Sequence, residues 1–145
     1  MKNIHQTAVI EDGAIIGDDA NIEAYAFVSK DAALGNNVTI KQGARVLGKT
    51  RIGDNSRVFS YAIVGDIPQD ISYKDEVDTG VIIGEHATIR EFCTINSGTH
   101  KGDGITRIDD NAFIMAYSHI AHDCIIGSNV ILANNATLAG HVELG

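Results

Sequence analysis

A six-residue period runs through almost the whole of this 145-residue chain and limits what it can fold into. Stepping by six from Ile4 meets Ile10, Ile16, Ile22, Val28, Leu34, Ile40, Val46, Ile52, Val58 and Val64, a branched aliphatic every time. Four residues beyond each of the first ten stands a small or short-chain residue, from Ala8, Ala14 and Ala20 to Thr50, Ser56 and Ala62, and never a charge. The phase breaks across residues 66–82, resumes at Ile83, Ile89 and Ile95, breaks again across 101–107, and resumes at Ile108 for a run that reaches Leu144. Nineteen complete hexads result. No helix or coiled coil has this period. A six-residue unit cannot bury its own aliphatic side chain, so copies must stack, and hexapeptide repeats stack as a parallel β-helix. The sequence therefore predicts an all-β domain over residues 1–145 with two inserted loops, at about 66–82 and 101–107.

The composition fits a narrow interior filled by one aliphatic residue per unit. Hydrophobic residues make up 44% of the chain but aromatics only 6%, and there is no Trp. None of the six histidines and no charged residue falls at an inward position of the repeat, so every ionisable group belongs on the outside or in the insertions. The inward small positions do hold Cys93 and Cys124, where packing is the expected role. Two isolated cysteines form no disulfide framework or zinc knuckle and suit a reducing compartment. There is no apolar run of about 18 residues and no apolar core in the first dozen, so neither a membrane span nor a signal peptide is predicted. A soluble, cytoplasmic protein is expected. A net charge of -8 argues against a nucleic-acid or anionic-membrane surface, and an acidic partner would need a local basic patch.

The repeat resembles the hexapeptide signature of left-handed β-helix proteins over nearly its whole length. In that family three hexads make one triangular coil, which implies about six coils here. The left hand follows from the resemblance alone, because the general crossover rule gives the opposite. Many members are acyltransferases, and they are typically trimers.

Coil arithmetic then locates a corner. His122 is the third residue of its hexad, and Gly140, three hexads on, takes the equivalent place on the next coil with His141 beside it. His119 lies three residues before His122. Looping out the second insertion stacks the hexad of Ile95 on that of Ile120, and the loop carrying Asp66, Gln69, Asp70 and Lys74 then hangs over the histidines. A histidine can take a proton from a hydroxyl or amine at neutral pH, and a glycine N–H can donate to a developing oxyanion. Asp123 can orient a ring or stabilise an imidazolium, although sequence neighbours need not bond. These are parts for direct acyl transfer from a thioester, with no covalent enzyme intermediate, no metal and no cofactor.

At this corner the resemblance sharpens. The stretch from His119 through His122, Asn134, Asn135 and Gly140 to His141 is similar to the signature of the UDP-N-acetylglucosamine O-acyltransferase family, as are the loop Gly65–Lys74 and the segment Ile89–Thr99. The resemblance implies the first step of lipid A biosynthesis: a (R)-3-hydroxyacyl group passes from acyl carrier protein to the glucosamine 3-position of UDP-N-acetylglucosamine, or of its 3-amino analogue. It assigns His122 as general base, Asp123 as orienting carboxylate and Gly140 as oxyanion donor. Gln69, Asp70, His119 and His141 match positions that hold the sugar and its neighbouring groups. The family often carries Lys two residues after the Gln-Asp pair. Here that position is Ser72, and Lys74 is the candidate to reach the same space.

Two other functions compete. A zinc hydratase on the same fold would use histidines from adjacent coils and chains as ligands, with three candidates at this corner in His119, His122 and His141, and a non-catalytic scaffold would make their clustering a coincidence. The related lipid A N-acyltransferase would be expected to carry an additional N-terminal domain, whereas the hexads here begin at Ile4. His5, His86 and His100 are expected to be solvated side chains. The last hexad is incomplete at Gly145, so the sequence reads as the N-terminal portion of a longer protein with further coils and a helical region.

Overall fold

The structure, a computed structural model, describes residues 1–75 and 77–145. It is a left-handed parallel β-helix of three parallel sheets, each of seven strands. Every aliphatic residue of the six-residue series lies in a strand, from Asn3–Ile4 to Glu143–Leu144. Each strand pairs with the third one after it, so Ile4 stacks on Ile22 and Ile120 on Leu138, three hexads apart in each case. Seven strands per sheet make seven tiers, one more than complete hexads suggest. Val64 and Leu144 each anchor a strand without the small residue that would complete a hexad.

The two insertions leave the stacking intact. Across the first, Val58 pairs with Ile89, and across the second, Ile95 pairs with Ile120. Both separations exceed three hexads, and the excess is the chain that each loop carries outside the coil. The first excursion runs between strands Ile63–Asp66 and Gly80–Ile83, over residues 67–79. The second runs between Thr94–Asn96 and Ile105–Ile108, over residues 97–104.

Corners are turned at the residue before the small position. There the backbone enters the left-handed region, with φ between 58° and 64° at Asn37, Asn55, Asn111, Asp123, Asn129, Asn135 and His141. Asn and Asp tolerate this region best among residues with a side chain, which accounts for their recurrence. On the corner that carries Asn135, the same place on three earlier tiers is held by Tyr61, Phe92 and Tyr117, whose rings stack at 5.7 and 5.1 Å between centroids.

The core is the aliphatic column the period predicts. Ile40, Ile95 and Ile120 are fully buried, and each such side chain contributes about 1.5–3 kcal/mol on burial. Hydroxyls at the small inward positions are paired: Ser56 Oγ donates to the Gly84 carbonyl at 2.8 Å and Thr50 Oγ1 to Leu47 at 2.7 Å. Cys93 and Cys124 are buried free thiols, and burial pushes both above the ordinary thiol range, away from a reactive thiolate. Among the described residues no helix is long and apolar enough to cross a membrane.

Candidate active site

Strand His119–Ile120 runs into a corner at residues 121–124, and strand Thr137–Leu138 pairs with it and runs into the corner above. His122 and Gly140 therefore superpose one tier apart, and the His141 N–H donates to the His122 carbonyl at 3.0 Å. The His122 ring occupies the room a side chain at position 140 would need. A Cβ on Gly140 would stand 2.9 Å from Cδ2, 2.6 Å from Cε1 and closer still to Nε2. The rings of His122 and His141 meet edge to face, 5.2 Å between centroids.

Left-handed backbone at Asp123 and His141 sets the direction of both side chains. Asp123 is buried, and its carboxylate is held by one residue of the second insertion: Thr99 N–H donates to Oδ1 at 2.9 Å and Thr99 Oγ1 to Oδ2 at 2.5 Å. The Asp123 N–H donates to Thr106 Oγ1 at 2.9 Å. Oδ2 also faces His141 Nε2 at 3.5 Å. Among the described residues Asp123 makes no hydrogen bond to the His122 ring, whose buried Nδ1 has no partner within the chain. The carboxylate that approaches His122 is Asp70, with Oδ2 3.9 Å from Nε2.

Asp70 is brought there by the first insertion. Its Oδ1 accepts from the Ser72 N–H at 2.9 Å and the Ser72 hydroxyl at 2.8 Å, an Asx-type turn. These two bonds, led by the backbone one and helped by the Lys101 ammonium, hold the Asp70 carboxyl at about 2, below its ordinary 3.8. Asp70 is thus an anion at neutral pH. His119, on the strand before the corner, shares a hydrogen bond between Nδ1 and Thr94 Oγ1 at 2.7 Å. Burial lowers its pKa, which favours the neutral imidazole.

Of the sequence candidates, Asp70, His119, His122, Asp123, Gly140 and His141 gather at this corner. Gln69 and Lys74 are exposed on the loop, and among the described residues no hydrogen bond or ion pair ties either to the corner. The cation beside Asp70 and Ser72 is Lys101, from the second insertion. The repeat could not indicate Lys101, which lies outside the period and whose only signal was membership of an insertion, and it marked Thr99 only as the small residue of the Ile95 hexad. His100 is not free in solvent, since its Nε2 donates to the Val77 carbonyl at 2.7 Å.

The donor group that comes together among the described residues is His122, Asp123 and His141, with one ligand atom each, all within 4.8 Å of one another. It is not the three-histidine set a zinc hydratase would need. Both Asp123 oxygens already accept hydrogen bonds from Thr99, so the carboxylate is committed to the protein. Within one chain, the described residues do not assemble a zinc site of that type.

Residues 105–140 match the model of the bacterial transferase hexapeptide family (six repeats). The chain is 99% identical over 145 residues to the acyl-acyl-carrier-protein UDP-N-acetylglucosamine O-acyltransferase of Campylobacter concisus, covering all of this chain and 55% of that protein. It is 76% identical over 130 residues to the enzyme of the same name from Campylobacter lari, covering 90% of this chain and 49% of that one. The solved UDP-N-acetylglucosamine acyltransferase from Campylobacter jejuni superposes with a TM-score of 0.93 at 76% identity, covering 97% of this chain and 54% of that one. The chain spans about half the length of the curated relatives it matches. With 99% identity across its whole length to one of these relatives and a hexad column that superposes on the solved structure of another, the chain is a left-handed parallel β-helix of hexapeptide repeats similar to part of the UDP-N-acetylglucosamine O-acyltransferases.

Proposed function

We propose that this chain carries the general-base centre of an acyltransferase that moves a (R)-3-hydroxyacyl group from acyl carrier protein to the glucosamine 3-position of UDP-N-acetylglucosamine, or of its 3-amino analogue. The observation that carries the reading is the seating of His122 against Gly140, with Asp70 3.9 Å from Nε2. His122 takes the proton of the sugar hydroxyl or amine as that group attacks the thioester carbonyl carbon. The tetrahedral oxyanion accepts a hydrogen bond from the Gly140 N–H. Collapse breaks the carbon–sulfur bond, and the imidazolium returns its proton to the departing thiolate of the carrier. Asp123 holds His141 and the second insertion in place beside the base. His119, neutral and tethered by Thr94, and His141 line the sugar; Gln69 and Lys74 reach it from the loop when it is bound.

The same reading places the enzyme in the cytoplasm, as a homotrimer, at the first step of lipid A biosynthesis, with no cofactor. The test is a substrate panel: UDP-N-acetylglucosamine and its 3-amino analogue, each with (R)-3-hydroxyacyl carrier proteins of several chain lengths, offered to a chain extended to the full length of its relatives. Acylated UDP-sugar as product supports the reading and identifies nucleophile and chain length together. Thioester hydrolysis without acylated sugar contradicts it.

A further inference from the structure

Three consecutive residues of the second insertion each grip a different part of the site. Thr99 holds both oxygens of Asp123, His100 holds the Val77 carbonyl of the first insertion, and Lys101 reaches the Asp70 turn. The Lys101 Nζ donates to Ser72 Oγ at 2.6 Å and lies 3.5 Å from Asp70 Oδ2, the oxygen that faces His122. The Lys101 N–H in turn donates to Thr99 Oγ1 at 3.3 Å. A continuous chain of contacts therefore runs from the buried Asp123, through the backbone of residues 99–101, to the carboxylate beside the base.

We propose that Lys101 is a positioning residue for acyl transfer, the cation that fixes Asp70 over His122 in place of a lysine at position 72. This rests on the acyltransferase reading above. Ser72 is suited to the arrangement because its hydroxyl works in both directions: it accepts from Lys101 and donates to Asp70 Oδ1. A lysine at 72 would bring its charge from within the Asp70 turn, whereas here the charge comes from the other insertion and the hydroxyl joins the two. The ammonium stays largely in solvent, so its effect lies in aiming Asp70 and not in stabilising the fold.

The experiment uses a chain extended to the full length of the relatives and compares Lys101→Ala, Lys101→Ala with Ser72→Lys, and His122→Ala. Misplacing a group beside the reacting atoms costs up to about 10²-fold, so Lys101→Ala is expected to lower kcat/KM by about 10- to 100-fold with an unchanged melting temperature. Moving the charge to position 72 in that background is expected to restore at least about tenfold of the loss, a rescue that a merely structural lysine would not give. Lys101→Ala turning over at the parent rate, or a loss that Ser72→Lys does not repair, overturns the proposal. His122→Ala separates the two claims: if it too keeps the parent rate, the acyltransferase centre itself is misassigned, whereas loss there with a silent Lys101→Ala removes only the role of Lys101.

Discussion

The imidazole of His122 fills the space above the α-carbon of Gly140, one tier along the β-helix, so closely that a methyl group there would stand 2.6 Å from Cε1. The clash is with the far end of a side chain, so Gly140→Ala is expected to displace the ring and leave the coil standing. We predict a fall in kcat/KM of about 10- to 100-fold with a melting temperature within a few degrees of the parent. Steady-state kinetics beside a thermal melt checks it; unchanged activity would show that the ring need not sit there.

Thr99 makes two hydrogen bonds to the buried Asp123 carboxylate, one through its hydroxyl. Thr99→Val keeps the shape and the backbone bond but removes the hydroxyl donor. A bond to a charged group is worth about 1.5–3 kcal/mol, and that loss is expected in denaturant unfolding.

Asp70 gives the site an acid limit. Its folded carboxyl sits at about 2 and its ordinary value is 3.8, so the unfolded chain takes up the proton first. The stability Asp70 contributes is whole above about pH 3.8 and lost as the pH falls through about 2. Asp70→Asn should flatten that part of the stability profile, measured by melts between pH 5 and 2. His119 acts in the same direction at higher pH. Burial depresses its pKa, so the stability of the neutral form is present above the unfolded value of 6.5 and declines as acid protonates the ring. His119→Gln should remove that decline.

The inward and outward faces of one strand set differ sharply. Ile120 is 0% exposed and Ile131 67%. Ile120→Ala is expected to cost about 2–5 kcal/mol, and Ile131→Ala no more than about 0.5 kcal/mol. Paired unfolding curves decide.

The column from Ile4 to Leu144 was readable because a repeat of fixed length places each residue by arithmetic alone. For the same reason His122 and Gly140 could be superposed from numbering. What the period could not reach was chemistry carried by the insertions. Lys101 meets Ser72 across 29 positions of chain, and neither residue belongs to a hexad. The partnership of Asp123 was also hidden: sequence neighbours need not bond, the orienting role beside His122 came from the resemblance alone, and the carboxylate meets Thr99 and His141. The stacking of Tyr61, Phe92 and Tyr117 likewise needed the register between tiers.

The central claim is that His122 is the base. Its most direct test is kcat/KM for acyl transfer by His122→Ala, in a chain extended to the full length of its relatives, with circular dichroism to confirm the β-helix. Removing a general base costs about 10²- to 10⁴-fold, and a loss in that range with an unchanged spectrum is the predicted result. Turnover within about twofold of the parent would contradict the account.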